Sequence, residues 1–410
     1  MTKSTKFIGL SCLFLVLTLF NVSCKSNKDV EIPSYQVNLT LDLPEGQQLE
    51  NLSNLSITFT EWNQKKETKF TDLKNIKLPK GMYSVSVSCL MKVGVKQMNC
   101  SGLTQNINLI EEGQTVRVKL TAETEARGFV IEEIFFASTD NESTSPLDYT
   151  HDQYIKITNN GDQPLYADGL LIVQSELNTV KNDQLTPSDF IQRGFATNSV
   201  YMIPGSGKEH KVDPGKSIII ADQAYNFKQS LPASVDLSKA DFEWYDNITT
   251  GPFAGKDIDT KAPNLIPVVT NEMAPWRINN LGIFAIGLAR VEATDVKALL
   301  DQMRQEYSYV RVLPNGRKFD IKSSPIVLTE ANMIDVVTLS VVSNYSRQVT
   351  PASMDKGYAY CSKVDREPGY GKSIVRKKDQ ELSQKLGRRT LKDTNNSSED
   401  FDMLVPASLH

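Results

Sequence analysis

The sequence predicts a mainly β protein made of two β-sandwich domains, the second enlarged by a mixed α/β insertion. Three observations lead there. Short runs of alternating apolar and polar residues recur through the first third of the chain, as half-buried strands require. Turn signals such as Pro44-Glu-Gly46, Pro79-Lys-Gly81 and Glu112-Gly113 separate them. Later strand-like runs continue to the C-terminus, with one clear stretch of helical spacing at residues 295–304. Residues 24–410 are enough for two or three domains with real cores.

The N-terminus is read separately. Lys3 and Lys6 precede an uncharged, largely apolar run at residues 7–20, followed by Asn21-Val22-Ser23-Cys24. A basic start, a short apolar core and small residues at the cut mark a secretory signal, here residues 1–23. The apolar core is too short to span a hydrocarbon layer of roughly 30 Å comfortably. Val-Ser-Cys resembles the bacterial lipobox, which implies that Cys24 is acylated and becomes the new N-terminus. Cys12 interrupts the apolar core and is the poorer candidate. Residues 24–34 are then a polar, lipidated tether with no apolar periodicity. In Bacteroidota lipoproteins an acidic run after the acylated cysteine accompanies export to the surface. Asp29 and Glu31 match that pattern in part and favour the cell surface over the periplasmic face of the outer membrane. No later apolar stretch is long enough to cross a bilayer.

The first domain is expected at residues 35–122. Alternation is clear in residues 35–43, 55–60, 83–89 and 115–120, and this spacing suggests a small sandwich. Leu78-Pro-Lys-Gly-Met-Tyr83 resembles the turn and strand of transthyretin-like and carboxypeptidase-regulatory-like modules, which implies a spacer or interaction unit. Cys89 and Cys100 are close enough in sequence to pair in an oxidising compartment. Cys89 also lies in an alternating strand, where it would serve as a small core residue. The sequence leaves both open.

Residues 123–128 are polar and read as a junction. The second domain, residues 127–410, opens with a strand at 129–136, a polar loop at 138–146, and a strand at 152–162 that ends in an Asn-Gly turn. Further strands are read at 165–173 and 212–221. The order Ile131-Glu-Glu-Ile134, Gln153-Tyr-Ile-Lys-Ile-Thr-Asn159, Leu165-Tyr-Ala-Asp-Gly-Leu170 and Pro214-Gly-Lys-Ser-Ile-Ile-Ile-Ala221 resembles a lamin-tail-type immunoglobulin-like domain. Ser373-Ile-Val-Arg376 and Asp393-Thr-Asn-Asn-Ser-Ser-Glu-Asp-Phe401 resemble that family's closing strand and loop. The resemblance implies that the strand around Ile374 joins the same sandwich as residues 129–136. The chain as a whole resembles an uncharacterised family of Bacteroidota outer-membrane lipoproteins often found with TonB-dependent receptors.

Residues 226–356 exceed a minimal lamin-tail domain and are read as an insertion projecting from the sandwich. It contains Trp244, Tyr245 and Trp276, candidate ligand contacts because aromatic rings offer large contact area; the same rings would also suit a core. Thr294 would cap a helix at 295–304, with Val296, Leu299, Leu300 and Met303 on one face. A second short helix is read at 330–337.

Composition narrows the chemistry. The net charge is −4, so nucleic-acid binding has no electrostatic support. His151, His210 and His410 are far apart and no Cys-x-x-Cys pair exists. A histidine-built zinc or haem site would have to be assembled wholly by the fold, so neither metal nor cofactor is expected. His151 and His210 sit in polar loops and are read as solvated. Gly205-Ser-Gly-Lys208 and Gly369-Tyr-Gly-Lys-Ser373 are fragments of a phosphate-loop pattern without its full spacing. The loops at Asp140 and Asp393 hold hard oxygen ligands without EF-hand spacing, and Asx-turn chemistry is the ordinary reading. Carboxylate pairs (Glu132/Glu133, Glu243/Asp246, Asp257/Asp259) give no cleft by themselves. The expectation is a non-enzymatic lipoprotein that binds substrate for, or caps, a TonB-dependent receptor or another β-barrel machine. A structural or adhesive surface protein, and a hydrolase with a carboxylate site in the insertion, are the alternatives.

Overall fold

The computed structural model describes residues 33–44, 47–93, 96–122, 128–142, 150–271, 273–313, 315–407 and 409. The leader, Cys24 and most of the tether lie outside the described residues. The protein is mainly β and of sandwich type. Among the described residues no helix is long and apolar enough to cross a membrane.

In the N-terminal body, alternation places one set of side chains inward. Ser34–Asp42 sits between Lys77–Pro79 and Gln114–Lys119, the latter pairing in parallel. A five-stranded sheet packs against it, in the order Glu67–Phe70, Leu52–Glu61, Gly81–Val93, Lys96–Leu109, Thr121–Ala122. Val37, Leu39, Ile57, Phe59, Val85, Val87, Val116 and Val118 fill the space between. The Leu-Pro-x-Gly-x-Tyr turn has a local cause: the Tyr83 hydroxyl donates to the Pro79 carbonyl at 3.0 Å and locks the turn. Cys89 and Cys100 face each other across adjoining strands and both are buried. Burial pushes the Cys89 thiol up to about 11, with Cys100 adding to the effect.

The larger body stacks two six-stranded sheets. One runs Phe242–Glu243, Ser217–Ala221, Tyr154–Asn159, Phe129–Phe135, Lys372–Arg376, Phe401–Pro406. The other runs Ile266–Val269, Phe195–Met202, Leu171–Asn178, Phe284–Ala289, Met333–Thr338, and Ile326–Leu328 also pairs with Phe195–Met202. Their shared core includes Ile131, Ile155, Ile172, Ile286, Val337 and Ile374. Each sheet is also covered on its outer face. Helix Val296–Gln302 and the hairpin of Tyr307–Val312 with Lys318–Ser323 overlie the second, with Leu300 and Tyr307 packing against Val173 and Phe195. Val235 and Leu237 cover Phe135 and Tyr154 on the first. Two-sided cover explains why every residue of Phe129–Phe135 and Tyr154–Asn159 is buried, as happens in sheets with both faces covered.

The strand Lys372–Arg376 pairs Ile374 with Ile134 and Val375 with Glu133, so both ends of the large body meet in one sheet. Residues 226–356, however, are not an appendage. They supply Ile266–Val269, Phe284–Ala289, Ile326–Leu328 and Met333–Thr338 to the second sheet, and Phe242–Glu243 to the first. The segment carrying the short helix and the hairpin stands outside the two sheets, as does the stretch with Val235 and Leu237. Residues 330–337 are not helical: Met333–Thr338 pairs along Phe284–Ala289. Asp295, rather than Thr294, caps the helix, its carboxylate accepting from the Ala298 N–H at 2.9 Å. The run 165–173 is two strands, because Asp168 and Gly169 turn the chain between Leu165–Tyr166 and Leu171–Asn178. Gly169 takes φ +70° there, a left-handed conformation that favours glycine.

Candidate functional site

Three strand ends converge at one end of the first sheet. His151 lies just before Tyr154–Asn159, and Asp222 just after its neighbour Ser217–Ala221. Two backbone bonds tie these ends, Asp222 N–H to the Gln153 carbonyl at 2.9 Å and Gln223 N–H to the His151 carbonyl at 3.3 Å. Phe242–Glu243 runs parallel to Ser217–Ala221, and the Trp244 N–H extends that pairing to the Ala221 carbonyl. The chain then reaches Asp246, whose N–H donates to Asp257 Oδ2 at 2.8 Å. His151, Asp222 and Asp257 are thereby brought together, each with a ligand atom within 4.8 Å of the others. His151 Nδ1 stands 3.2 Å from Asp222 Oδ2.

Burial sets the electrostatics. It would depress the His151 pKa, but Asp222 beside it, with help from Asp257, outweighs burial and the nearby Arg277, and the net shift is upward. Burial pushes Asp257 up to about 7; the charges of Asp222 and Asp246 add to this, while the Asp246 N–H and His151 partly offset it. Asp246 is also raised, chiefly by burial. Its oxygens accept from the Tyr201 hydroxyl (2.9 and 2.7 Å) and from the Trp276 N–H (2.7 Å).

The sequence-predicted aromatics lie beside this cluster. Trp244 is fully buried and Trp276 nearly so, their ring centroids 4.9 Å apart, and Trp276 stacks on Tyr201 at the same separation. Both indoles belong to the core shared by the two sheets. Tyr245 alone of the three is partly exposed. His151 is a correction to the solvated reading: its side chain is only 17% exposed because the strand ends wrap it. An exposed aromatic that sequence reasoning passed over is Trp62. It lines a shallow depression of about 160 Å³ on the N-terminal body with Thr60, Lys65, Ser84, Gln105 and Asn106.

Other candidates resolve into structural roles. The Gly205–Lys208 loop wraps Asp168, whose carboxylate takes the N–H groups of Gly207, Glu209 and His210 at 2.8–3.1 Å. Amides that would face a phosphate in a phosphate loop are committed to this carboxylate. Ser373, in the second fragment, donates to Glu133 Oε1. The Asp140 loop forms an Asx turn to the Glu142 N–H. In the Asp393 loop, Asp393 binds Arg376, and Asp400 accepts from the Thr394 N–H and hydroxyl. Glu132 is held by Lys156 and Arg389, and Glu243 by the Ala224 and Thr260 N–H groups. Asp246 and Asp257 do converge, yet Asp246 is bonded on both oxygens, which leaves it poorly placed to take a proton from a water.

The sequence model of the family described as "Protein of unknown function (DUF4876)" matches residues 213–408. A crystal structure of a DUF4876 family protein from Bacteroides thetaiotaomicron is similar over 90% of this chain and 95% of that one, with a TM-score of 0.58 and 22% identity. At that identity the likeness is one of fold. No curated protein matches in sequence.

Proposed function

We propose that the protein is an outer-membrane lipoprotein, acylated at Cys24 and displayed at the cell surface, that acts without catalysis as a substrate-binding or capping accessory of a TonB-dependent receptor or another β-barrel machine. The observation that carries this reading is the N-terminal order of basic residues, a short apolar run and Val22-Ser23-Cys24. An anchored tether ahead of two β bodies suits a protein that works by contact. The motif order of the larger body supports a lamin-tail-like sandwich, and the Leu78–Tyr83 turn a transthyretin-like module; both types serve mainly in interaction. Neither nucleic acid nor a soluble cofactor is needed for such a role.

Two measurements test it. Cys24→Ser is expected to abolish incorporation of labelled fatty acid and to release the protein from membranes; a variant that stays acylated and membrane-bound overturns the anchor. The wild-type chain, captured from detergent-solubilised outer membrane, is expected to bring a β-barrel protein in stoichiometric amount. Capture without one would favour the structural or adhesive reading.

A further inference from the structure

We propose that His151, Asp222 and Asp257 form a site for a single divalent cation of the zinc class at the end of the first sheet. The inference goes beyond the membrane role and does not depend on it. The three side chains come from three separate stretches of chain, and one ligand atom of each lies within 4.8 Å of the other two. The His151 Nδ1 to Asp222 Oδ2 separation is 3.2 Å. Two ligands on a tetrahedral zinc ion, with bonds of about 2.0–2.1 Å, lie roughly 3.3 Å apart.

The two carboxylates carry the argument. The Asp222 side chain is 2% exposed, and its Oδ2 meets the His151 Nδ1 at 3.2 Å and takes no hydrogen bond from any other group. Asp257 is 8% exposed, and its Oδ1 receives no hydrogen bond, while Oδ2 is held by the Asp246 N–H. That bond fixes the direction of the carboxylate, as partners behind a metal ligand commonly do. Placing two carboxylates side by side away from water is strongly unfavourable unless positive charge compensates them. A protonated His151, with Arg277 near it, would compensate part of that charge. A divalent ion compensates both and uses the imidazole as a neutral nitrogen donor. One nitrogen with two carboxylates suits zinc or manganese, whereas calcium takes six to eight oxygens. The imidazole, partly exposed, gives the ion an approach and leaves room for water as a further ligand.

A second triad, Asp168, Glu209 and His210, is similarly compact but serves as the control. Asp168 already takes three backbone N–H groups, and Glu209 takes the Ser206 hydroxyl.

The test titrates the full-length, untagged chain, stripped with chelator, with zinc chloride in a calorimeter and with calcium chloride in parallel. One equivalent of zinc is expected to bind saturably. His151→Gln and Asp257→Asn should each weaken it by about tenfold or more, at least the loss that removing a ligand's outer partner causes. His210→Gln should leave binding unchanged. Zinc should raise the melting temperature of the wild type but not that of Asp257→Asn. The Asn variant keeps the shape and removes a buried charge, so it should melt no lower than wild type without metal. Absence of saturable zinc binding, undiminished binding in either site variant, or tighter binding of calcium than of zinc overturns the proposal.

Discussion

Replacing Arg376 with alanine should be among the most damaging single changes in the larger body. Arg376 ends the strand Lys372–Arg376, with its side chain 2% exposed. Its Nε donates to the Ile131 carbonyl at 2.7 Å, Nη2 to Asp335 Oδ2 at 2.6 Å, and Nη1 to the Lys392 carbonyl and Asp393 at 3.1 and 3.2 Å. Asp400 lies 3.9 Å away, and the guanidinium carbon stands 4.6 Å from the Phe401 ring centre. Asp335 belongs to the second sheet and Arg376 to the first, so the pair ties the two layers together. Alanine would leave Asp335 buried with the Ile131 N–H but no cation against it, while Asp400 would keep Lys392 at 3.8 Å. Removing one partner of such a pair costs about 3–5 kcal/mol, roughly a fifth or more of the 5–15 kcal/mol that holds a typical domain together. At about 2–4 °C per kcal/mol for a body of this size, the melting temperature should fall by roughly 6–20 °C. Urea unfolding followed by tryptophan fluorescence reads this body well, because Trp244 and Trp276 are both buried in its core. Arg376→Lys should recover little, since one ammonium cannot hold the fork of contacts. An alanine variant within about 1 kcal/mol of wild type would refute the reasoning, because that is the range of exposed ion pairs.

Two further perturbations follow from the same packing. Burial would raise the Glu132 pKa, but Arg389, Thr158 and Lys156 outweigh it and the net shift is downward. A carboxylate with a depressed folded pKa contributes stability above its unfolded value of about 4.3, and that contribution is lost as pH falls through the folded pKa. Glu132→Gln should therefore be less stable than wild type at pH 7, with the gap closing in acid; a gap that is constant down to acid unfolding would contradict the assignment. Truncation after Lys356 removes Lys372–Arg376 and Phe401–Pro406, two strands of the first sheet. It should abolish cooperative unfolding of the larger body, and a truncated chain that melts with the full chain would show that those strands are dispensable.

What could be read from the residues depended on how many faces of a strand are covered. In the N-terminal body one face of each strand meets the core, so alternation is clean: Ser34–Asp42 and Gln114–Lys119 show it in their burial. The strand around Ile374 was also legible, through motif order rather than periodicity. In the larger body the second sheet is covered on both sides, and its strands lose the period of two. Phe284–Ala289 and Met333–Thr338 are short, nearly continuous apolar runs, which periodicity cannot tell from buried helix. Residues 226–356 were therefore separated from a sandwich to which they contribute five strands. The His151 cluster was illegible for another reason. Its members are adjacent only because neighbouring strands end together, and nothing local in the sequence marks that.

Within the larger body, buried acids divide into two kinds, and the division bears on which one concerns a ligand. Asp355 takes the N–H groups of Thr338, Gly357 and Ser397 and the Ser397 hydroxyl. Asp152 takes the hydroxyls of Ser138 and Ser234 and the Thr139 N–H. Both pin loops to strand ends, and both oxygens of each are occupied. Such closed arrangements repay the burial of a polar group through hydrogen bonds and have no capacity left for anything else. Asp222 and Asp257 depart from that pattern: Asp257 keeps an oxygen shut from solvent without a hydrogen bond, and Asp222 one that meets only the His151 imidazole, the one borderline-soft donor nearby. A fold that satisfies Asp355 and Asp152 so fully would gain stability by satisfying these two as well. That it leaves them facing one another beside an imidazole is the reason to look for a cation there rather than at the acidic loops, where Asp140 bonds a turn N–H and Asp393 bonds Arg376.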